Sequence, residues 1–395
     1  MDASLFIAGR LRFKGRIAMV SIAVSFLVII IAVSVSAGFR SEIRSGISMM
    51  SGDIQLTPPS MNVLDGSSPV DADASYMPYI SDVEGVQSIV PVVYRAGIVK
   101  NDDNIHGVLV KGIPEDAGFM SDVHAYDSVA LPVSIPSRLA EISGLETGDR
   151  MLAYFVGEDV KARQFNVVSV YDAMIETDDR LVVYADISDI QRVNGWDAGQ
   201  VSAVEIIMDD AEEAAVEDAA SEIGVLVNSY SSEDDAPVIA LSSVSRYPQL
   251  FDWLDLIDFN VVFILILMTI VAGFNMISGL LIMLFENIST IGLLKSLGMT
   301  DRSISKVFLS CSAVLVLKGM AVGNIVALLF CVIQNTTHVL RLDPENYFVS
   351  YVPVSPDLGM ILTADLITFV AIMLLLLIPC LFISKVDPAE TVRVR

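Results

Sequence analysis

Ile17–Ala37 reads IAMVSIAVSFLVIIIAVSVSA, 21 residues without one charged side chain. A helix needs about 20 apolar residues to cross a hydrocarbon core of about 30 Å, so this stretch predicts a membrane span. Three further runs have the same character: Val261–Phe285 with 25 residues, Val307–Ile333 with 27 and Leu358–Ser384 with 27. One such run could be a buried helix of a soluble protein. Four predict a four-span membrane protein. Arg10, Arg12, Lys14 and Arg16 precede the first run as they would in a secretory signal. Its apolar core is too long for one, and the polar, helix-like Phe39–Arg44 follows it, so an uncleaved helix is expected.

Lys and Arg set the orientation. They cluster before the first span, in the 286–306 loop (Lys295, Arg302, Lys306) and in the tail (Lys385, Arg393, Arg395), whereas the 334–357 loop has only Arg341. The positive-inside rule therefore places both termini and the 286–306 loop in the cytoplasm. One large segment, 46–259, falls outside. It carries 38 acidic and 10 basic residues, a balance of −28 against −24 for the whole chain. So acidic a domain disfavours nucleic acid and anionic lipid as partners.

That segment predicts an α+β domain with boundaries 46–259, between residues 1–45 (N-terminus and first span) and 260–395 (spans two to four). β-Branched runs at Val86–Val93, Gly107–Lys111, Gln164–Val170 and Leu181–Tyr184 predict strands. Asp209–Ile223 predicts an amphipathic helix with Ala211, Ala215, Ala219 and Ile223 on one face. Val201–Met208 before it and Val225–Asn228 after it complete a β-α-β pattern. A short helix is expected at Ile135–Ser143, closed by Gly144, and a loop at Ser60–Tyr76. Two subdomains are expected. The three cysteines, Cys311, Cys331 and Cys380, all lie in predicted spans, so no disulfide framework is expected outside.

Catalytic patterns are missing from the sequence. No Walker A, HExxH or CxxC occurs, and His106, His124 and His338 are far apart. Asp65-Gly66 with Asp71 and Asp73 lacks the EF-hand spacing. Acid pairs such as Asp178-Asp179 and Glu212-Glu213 read as solvated faces. No catalytic residue, metal or cofactor is assigned to this chain. Lys318 and Asp365 are intramembrane charges, functional candidates by default. At about 1.5 Å per residue they differ in depth by about 12 Å, so each is expected to face a cavity, a subunit contact or an interface.

Glu286–Leu297, ENISTIGLLKSL, predicts a short cytoplasmic helix, with Gly298 as its stop and Thr300 as the cap of the next. Its apolar positions Ile288, Ile291, Leu294 and Leu297 suit either a headgroup surface or the groove of a partner protein.

Several stretches now resemble one family. Gly38-Phe39-Arg40-Ser41-Glu42 is similar to its "G-F-x-x-E". Phe274-Asn275-Met276-Ile277-Ser278, with Glu286, Ile291, Leu294, Lys295, Leu297 and Gly298, is similar to "F-N-I-I-S … E … I-x-x-L-[KR]-x-x-G". Asp387-Pro388-Ala389-Glu390 is similar to its "D-P-A-E" ending, and Leu139-Ala140 to Gly148-Asp149 to "L-A-x-x-L-x-x-x-x-G-D". In order, spacing and four-span layout the chain resembles the FtsX/MacB-type permeases of ABC transporters, most of all the lipoprotein-releasing LolC/LolE group.

The resemblance implies a fold of four transmembrane helices with a MacB-like α+β periplasmic domain between the first and second. It implies no ATPase in this chain: ATP and Mg would bind a separate cytoplasmic subunit, and a second permease chain, identical or not, would pair with this one. Glu286, Ile288, Ile291, Leu294, Lys295, Leu297 and Gly298 would form the coupling helix. On the lipoprotein-releasing reading, Phe26, Ile30 and Val33 of span one and Phe263, Leu267 and Ile270 of span two line an acyl-chain cavity. The alternatives are a mechanotransmitting or efflux permease acting on a wall hydrolase or exporter, and a receptor without a transport cycle. LolC-type chains also carry a protruding hook for a periplasmic carrier. Here only Val156–Arg163 separates the corresponding strands, too short for a hook, so direct carrier capture is not expected.

Overall fold

The computed structural model describes residues 16–61, 64, 66–101, 104–117, 123, 129–157, 160–173, 181–209 and 212–381. The basic N-terminus before Arg16, Asp65, His124, Asp178-Asp179, the end of the fourth apolar run and the tail with Asp387–Glu390 lie outside them.

In chain order the elements are α1 (Arg16–Ser51), β1 (Ile54–Thr57), β2 (Val70–Asp71), α2 (Met77–Ile80), β3 (Val86–Asn101), β4 (Asn104–Ile113), β5 (Pro132–Pro136), α3 (Ser137–Ser143), β6 (Arg150–Phe155), β7 (Lys161–Tyr171), β8 (Val182–Asp186) and α4 (Ile187–Asn194). Then follow β9 (Gln200–Val201), β10 (Ala203–Met208), α5 (Glu213–Tyr230), β11 (Ile239–Ser242), α6 (Ser243–Arg246), α7 (Pro248–Glu286), α8 (Ile288–Ser296), α9 (Asp301–Thr337), α10 (Pro344–Tyr347), α11 (Leu358–Leu375) and α12 (Leu377–Cys380). Two compact units result: Glu42–Asp252 with Leu342–Tyr351, and the remainder.

The first unit is the α+β domain, built on the sixteen residues of β3. The first half of β3 joins an open sheet in the order β3-β10-β1-β11. Its second half pairs with β4 on one side and β6 on the other, Ile98 opposite Tyr154. The path β3-β4-β8-β5-β7-β6 thus returns to β3, leaving no free edge there. Gly97 makes the closure possible: a Cβ there would stand 3.0 Å from the Phe155 ring. Phe155 and Phe165, both fully buried and edge to face with ring centres 6.2 Å apart, fill the interior with Val99 and Val110.

Several expected elements shift. The strand expected at 86–93 runs on to Asn101, and Ile135-Pro136 end a strand instead of opening a helix. α3 does end at Gly144, whose N–H donates to Ala140 O. Val225–Asn228 is not a strand: it continues α5 to Tyr230. Its β-branched residues sit at helical spacing, and Val216, Ala219, Ala220, Ile223 and Val227 are the buried stripe. Ala215 is exposed, and Ala211 lies outside the described residues. Val216, Ile223 and Val227 bury more apolar area than an alanine and fix the face, while Val225 is exposed. The strand that completes the unit is β11, which pairs with β1 between it and β10.

The second unit is a bundle. Four helices are long and apolar enough to cross a membrane, at Ala18–Ser51, Pro248–Glu286, Asp301–Thr337 and Leu358–Cys380. α1 meets α9 along Gly319 and Gly323. A Cβ at Gly319 would stand 2.7 Å from Ile22 Cγ2, and one at Gly323 2.5 Å from Ala23 O. Such small residues four apart let two helix backbones approach closely where no hydrophobic effect drives them together. The core holds Ile22, Phe26, Met276, Phe308 and Ile372.

Candidate functional site

α7 stops at Glu286, and after Asn287 the chain re-enters a helix of nine residues, α8. Gly298 follows at φ +88°, a left-handed conformation that glycine adopts without a steric penalty. Its N–H donates to Lys295 O, and Met299 N–H to Leu294 O, so the last carbonyls of α8 are satisfied. Thr300 caps α9 through its side chain, which accepts from Ser303 N–H.

The expected coupling residues divide between two faces. Ile291 is 1% exposed and joins the bundle core, against which Leu294 also packs. Lys295 is turned inward too: its Nζ lies 2.9 Å from Asp301 Oδ1 in the first turn of α9. Ile288 is half-buried and Glu286 exposed. The open face carries Leu297, 76% exposed, and Leu293, 55% exposed. Leu293 was not among the sequence candidates. Its signal is its position four residues before Leu297, on one face of the helix. The arrangement gives a short apolar contact surface seated rigidly on the bundle.

The six cavity candidates are not brought together. Phe26 and Ile30 are fully buried and Val33 packs against the same interior, Ile30 with Ala327, Ile361 and Ala364. Phe263, Leu267 and Ile270 on α7 are exposed. Spacing identified apolar positions but could not say which way each faces.

Arg40 of the Gly38–Glu42 motif holds α1 against α7. Its Nη2 lies 2.6 Å from Asp258 Oδ2 and 2.9 Å from Asp255 Oδ1, and Ser36 Oγ also donates to Asp258. Phe39 meets Trp253 edge to face at 5.5 Å. Gly38 packs against the 352–357 connection, where a Cβ would stand 2.4 Å from Pro353 O. Deeper, Asn275 Nδ2 donates to Ser21 Oγ at 3.1 Å. Asp365 is buried and accepts from Asn324 Nδ2 at 2.5 Å, while Lys318 lies on the exposed face of α9. The two intramembrane charges therefore do not form a pair.

β6 and β7 form a hairpin whose connection is 156–160, of which 158 and 159 lie outside the described residues. Among the described residues no cluster of His, Cys, Asp and Glu could hold a metal.

Comparison with known proteins fits this layout. Residues 262–388 match the family described as FtsX-like permease C-terminal. The chain is 22% identical over 418 residues to the lipoprotein-releasing system transmembrane protein LolC of Neisseria meningitidis serogroup B, covering 98% of this chain and 95% of that one. It is 20% identical to LolC of Xylella fastidiosa, with the same coverage. Two solved domains overlap with it weakly. One is the extracellular domain of the noncanonic ABC-type transporter YknZ from Gram-positive bacteria (13% identity, TM-score 0.32, 49% of this chain and all of that one). The other is the periplasmic region of MacB from Actinobacillus actinomycetemcomitans (13%, TM-score 0.33, 52% and 95%). These overlaps are too slight to add to the sequence match. Residues 262–388 thus carry an FtsX-like permease domain, and the chain is similar over nearly its whole length to LolC-type permeases.

Proposed function

We propose that the chain is the permease subunit of an inner-membrane transporter that uses ATP hydrolysis by a separate cytoplasmic subunit to release lipoproteins from the membrane. The near full-length similarity to proteins named as lipoprotein-releasing supports the cargo. The single observation that carries the coupling is α8, a helix with its inner face in the bundle core and Leu293 and Leu297 open to a partner. In this reading the ATPase binds ATP and Mg, the basic loops and both termini are cytoplasmic, and the permease works as a pair. Ile291, Leu294 and Lys295 carry the motion of α8 into the bundle, while Leu293 and Leu297 meet the ATPase.

The short β6–β7 connection favours a second reading for the external domain. With five residues between the strands, it acts on a partner by moving, as a mechanotransmitting or efflux permease would, instead of capturing a carrier on a hook.

Leu293→Glu with Leu297→Glu is expected to leave the protein folded and inserted while the ATPase no longer co-purifies, because a charge on an exposed surface costs the fold little and an apolar groove much. Ile291→Glu is expected to destabilise the bundle itself. A wild-type protein that brings down no ATPase in mild detergent sinks the permease reading. An ATPase that comes without lipoprotein or acyl chains, but with a wall hydrolase or an exporter component, moves the assignment to the second.

A further inference from the structure

α1 is one helix of 36 residues, about 54 Å long, and its last turn ends inside the α+β unit. Helix ends leave carbonyls without intrahelical partners, and a buried end must find them elsewhere. Here three of them have partners. Ser48 O accepts from Gly52 N–H at 2.8 Å. Met50 O accepts from Lys111 Nζ at 3.0 Å, and Met49 O from the same Nζ at 3.2 Å and from Tyr184 Oη at 3.3 Å.

Lys111 is 0% exposed. It reaches the helix end from β4 and also donates to Glu205 Oε2 on β10 at 2.7 Å. Tyr94 Oη donates to the other carboxylate oxygen, and Gln55 Nε2 donates to that hydroxyl at 3.2 Å. The ammonium lies 5.8 Å from the ring centres of both Tyr94 and Tyr184. One cation thus ties the carbonyl end of α1, where the helix dipole is negative, to strands β3, β4, β8 and β10. Gly52 admits this arrangement twice over: φ is +69°, and a Cβ would stand 2.9 Å from Glu205 Cβ.

For stability alone such a pair is unnecessary, since a buried ion pair is often replaced by apolar residues without loss. An apolar replacement, however, cannot hold two helix-end carbonyls. We propose that Lys111 is a positioning residue that fastens the end of α1 to the sheet, so that the α+β domain follows the helix as a lever. This rests on the reading that a partner ATPase drives the bundle.

The test uses the intact transporter with its ATPase. Spin labels are attached to cysteines placed at the exposed Asn335 of α9, outside the lever, and Val225 of α5, with Cys311, Cys331 and Cys380 replaced by serine. Pulsed distance measurements are made without nucleotide and with ATP plus vanadate. The parent is expected to show a nucleotide-dependent shift. Lys111→Met with Glu205→Leu is expected to stay folded with its ATPase bound, melting somewhat lower because two helix-end carbonyls lose their donor, and to lose the shift as the distribution broadens. Glu205→Gln, which leaves Lys111 on the two carbonyls, is expected to retain it. The same narrow shift in the Lys111→Met/Glu205→Leu protein overturns the inference while leaving the permease reading intact. A parent with no shift overturns both. Hydrogen exchange on the unmodified complex gives a measurement independent of any variant: amides at 48–53 are expected to exchange as slowly as those of β4 and β10. Exchange tens of times faster there overturns the fastening.

Discussion

Tyrosine ionisation reads out burial residue by residue. Burial pushes Tyr76 up to about 12, with Asp235 and Asp71 adding to it. Burial likewise raises Tyr94 and Tyr184, each with Glu205 adding to it, and Tyr171, with Tyr184 adding to it. An unfolded tyrosine ionises near pH 10. A raised folded value means the neutral form is favoured by folding, so this contribution is complete below pH 10 and is lost as pH rises through the folded values. In a spectrophotometric titration of the folded protein, four of the eleven tyrosines should remain un-ionised at pH 11 and ionise once denaturant is added. Titration of all eleven together near pH 10 would contradict the burial described. None of this was legible in the sequence. Tyr94 lies in a β-branched run that reads as a strand, but that its hydroxyl meets Glu205, 111 residues away, follows only from the pairing of β3 with β10.

At the scale of elements, the membrane helices were the most legible part of the chain, because each needs only its own length of apolar sequence. How they pack was less so. Gly319, Gly323 and Ala327 form a small-residue stripe at four-residue spacing, and that signal stands in the sequence, yet only the structure shows that it faces α1. Gly323→Leu should force α1 and α9 apart. The expected result is a loss of about 1–3 kcal/mol or more, as overpacked cores show, read as a lowered detergent melting temperature. Val322→Leu, one residue along on the exposed face, should be neutral. Equal melting temperatures for the two variants would remove the close contact. α8 divides the same way. Its helix and its stop at Gly298 follow from local chemistry, whereas the inward turn of Ile291 and Lys295 depends on neighbours in α7 and α9. α5 gives the converse lesson. Its second half reads locally as a strand, but Val227 continues the stripe begun at Val216, and packing against the sheet overrides the local preference.

Across the whole molecule the chain holds two cores with one tryptophan in each unit, Trp196 and Trp253. The α+β unit depends on water to drive its burial, and urea weakens that. The bundle is held by packing in an apolar solvent. Trp253→Phe protein should therefore report a cooperative urea transition through Trp196, at a concentration that leaves Trp253 fluorescence of the Trp196→Phe protein unchanged. Coincident transitions would mean the two units unfold as one. The charge of the chain is partitioned in the same way: the segment 46–259 holds −28 and the remainder is slightly positive.

By itself the sequence determined how many helices are long and apolar enough to cross a membrane, where the acidic domain is inserted, the caps at Gly144, Gly298 and Thr300, and the resemblance to FtsX-type permeases. Each depends on residues close in sequence or on summed composition. The tertiary structure alone decided that β3 is shared between an open sheet and a closed ring, that Phe26 and Phe263 face different surroundings, that Asp365 meets Asn324 and not Lys318, and that Lys111 grips the end of α1. These depend on contacts between residues tens to hundreds of positions apart, and on which face of an element is buried. Apolar periodicity can offer such a face, but only the neighbouring element that covers it fixes the choice.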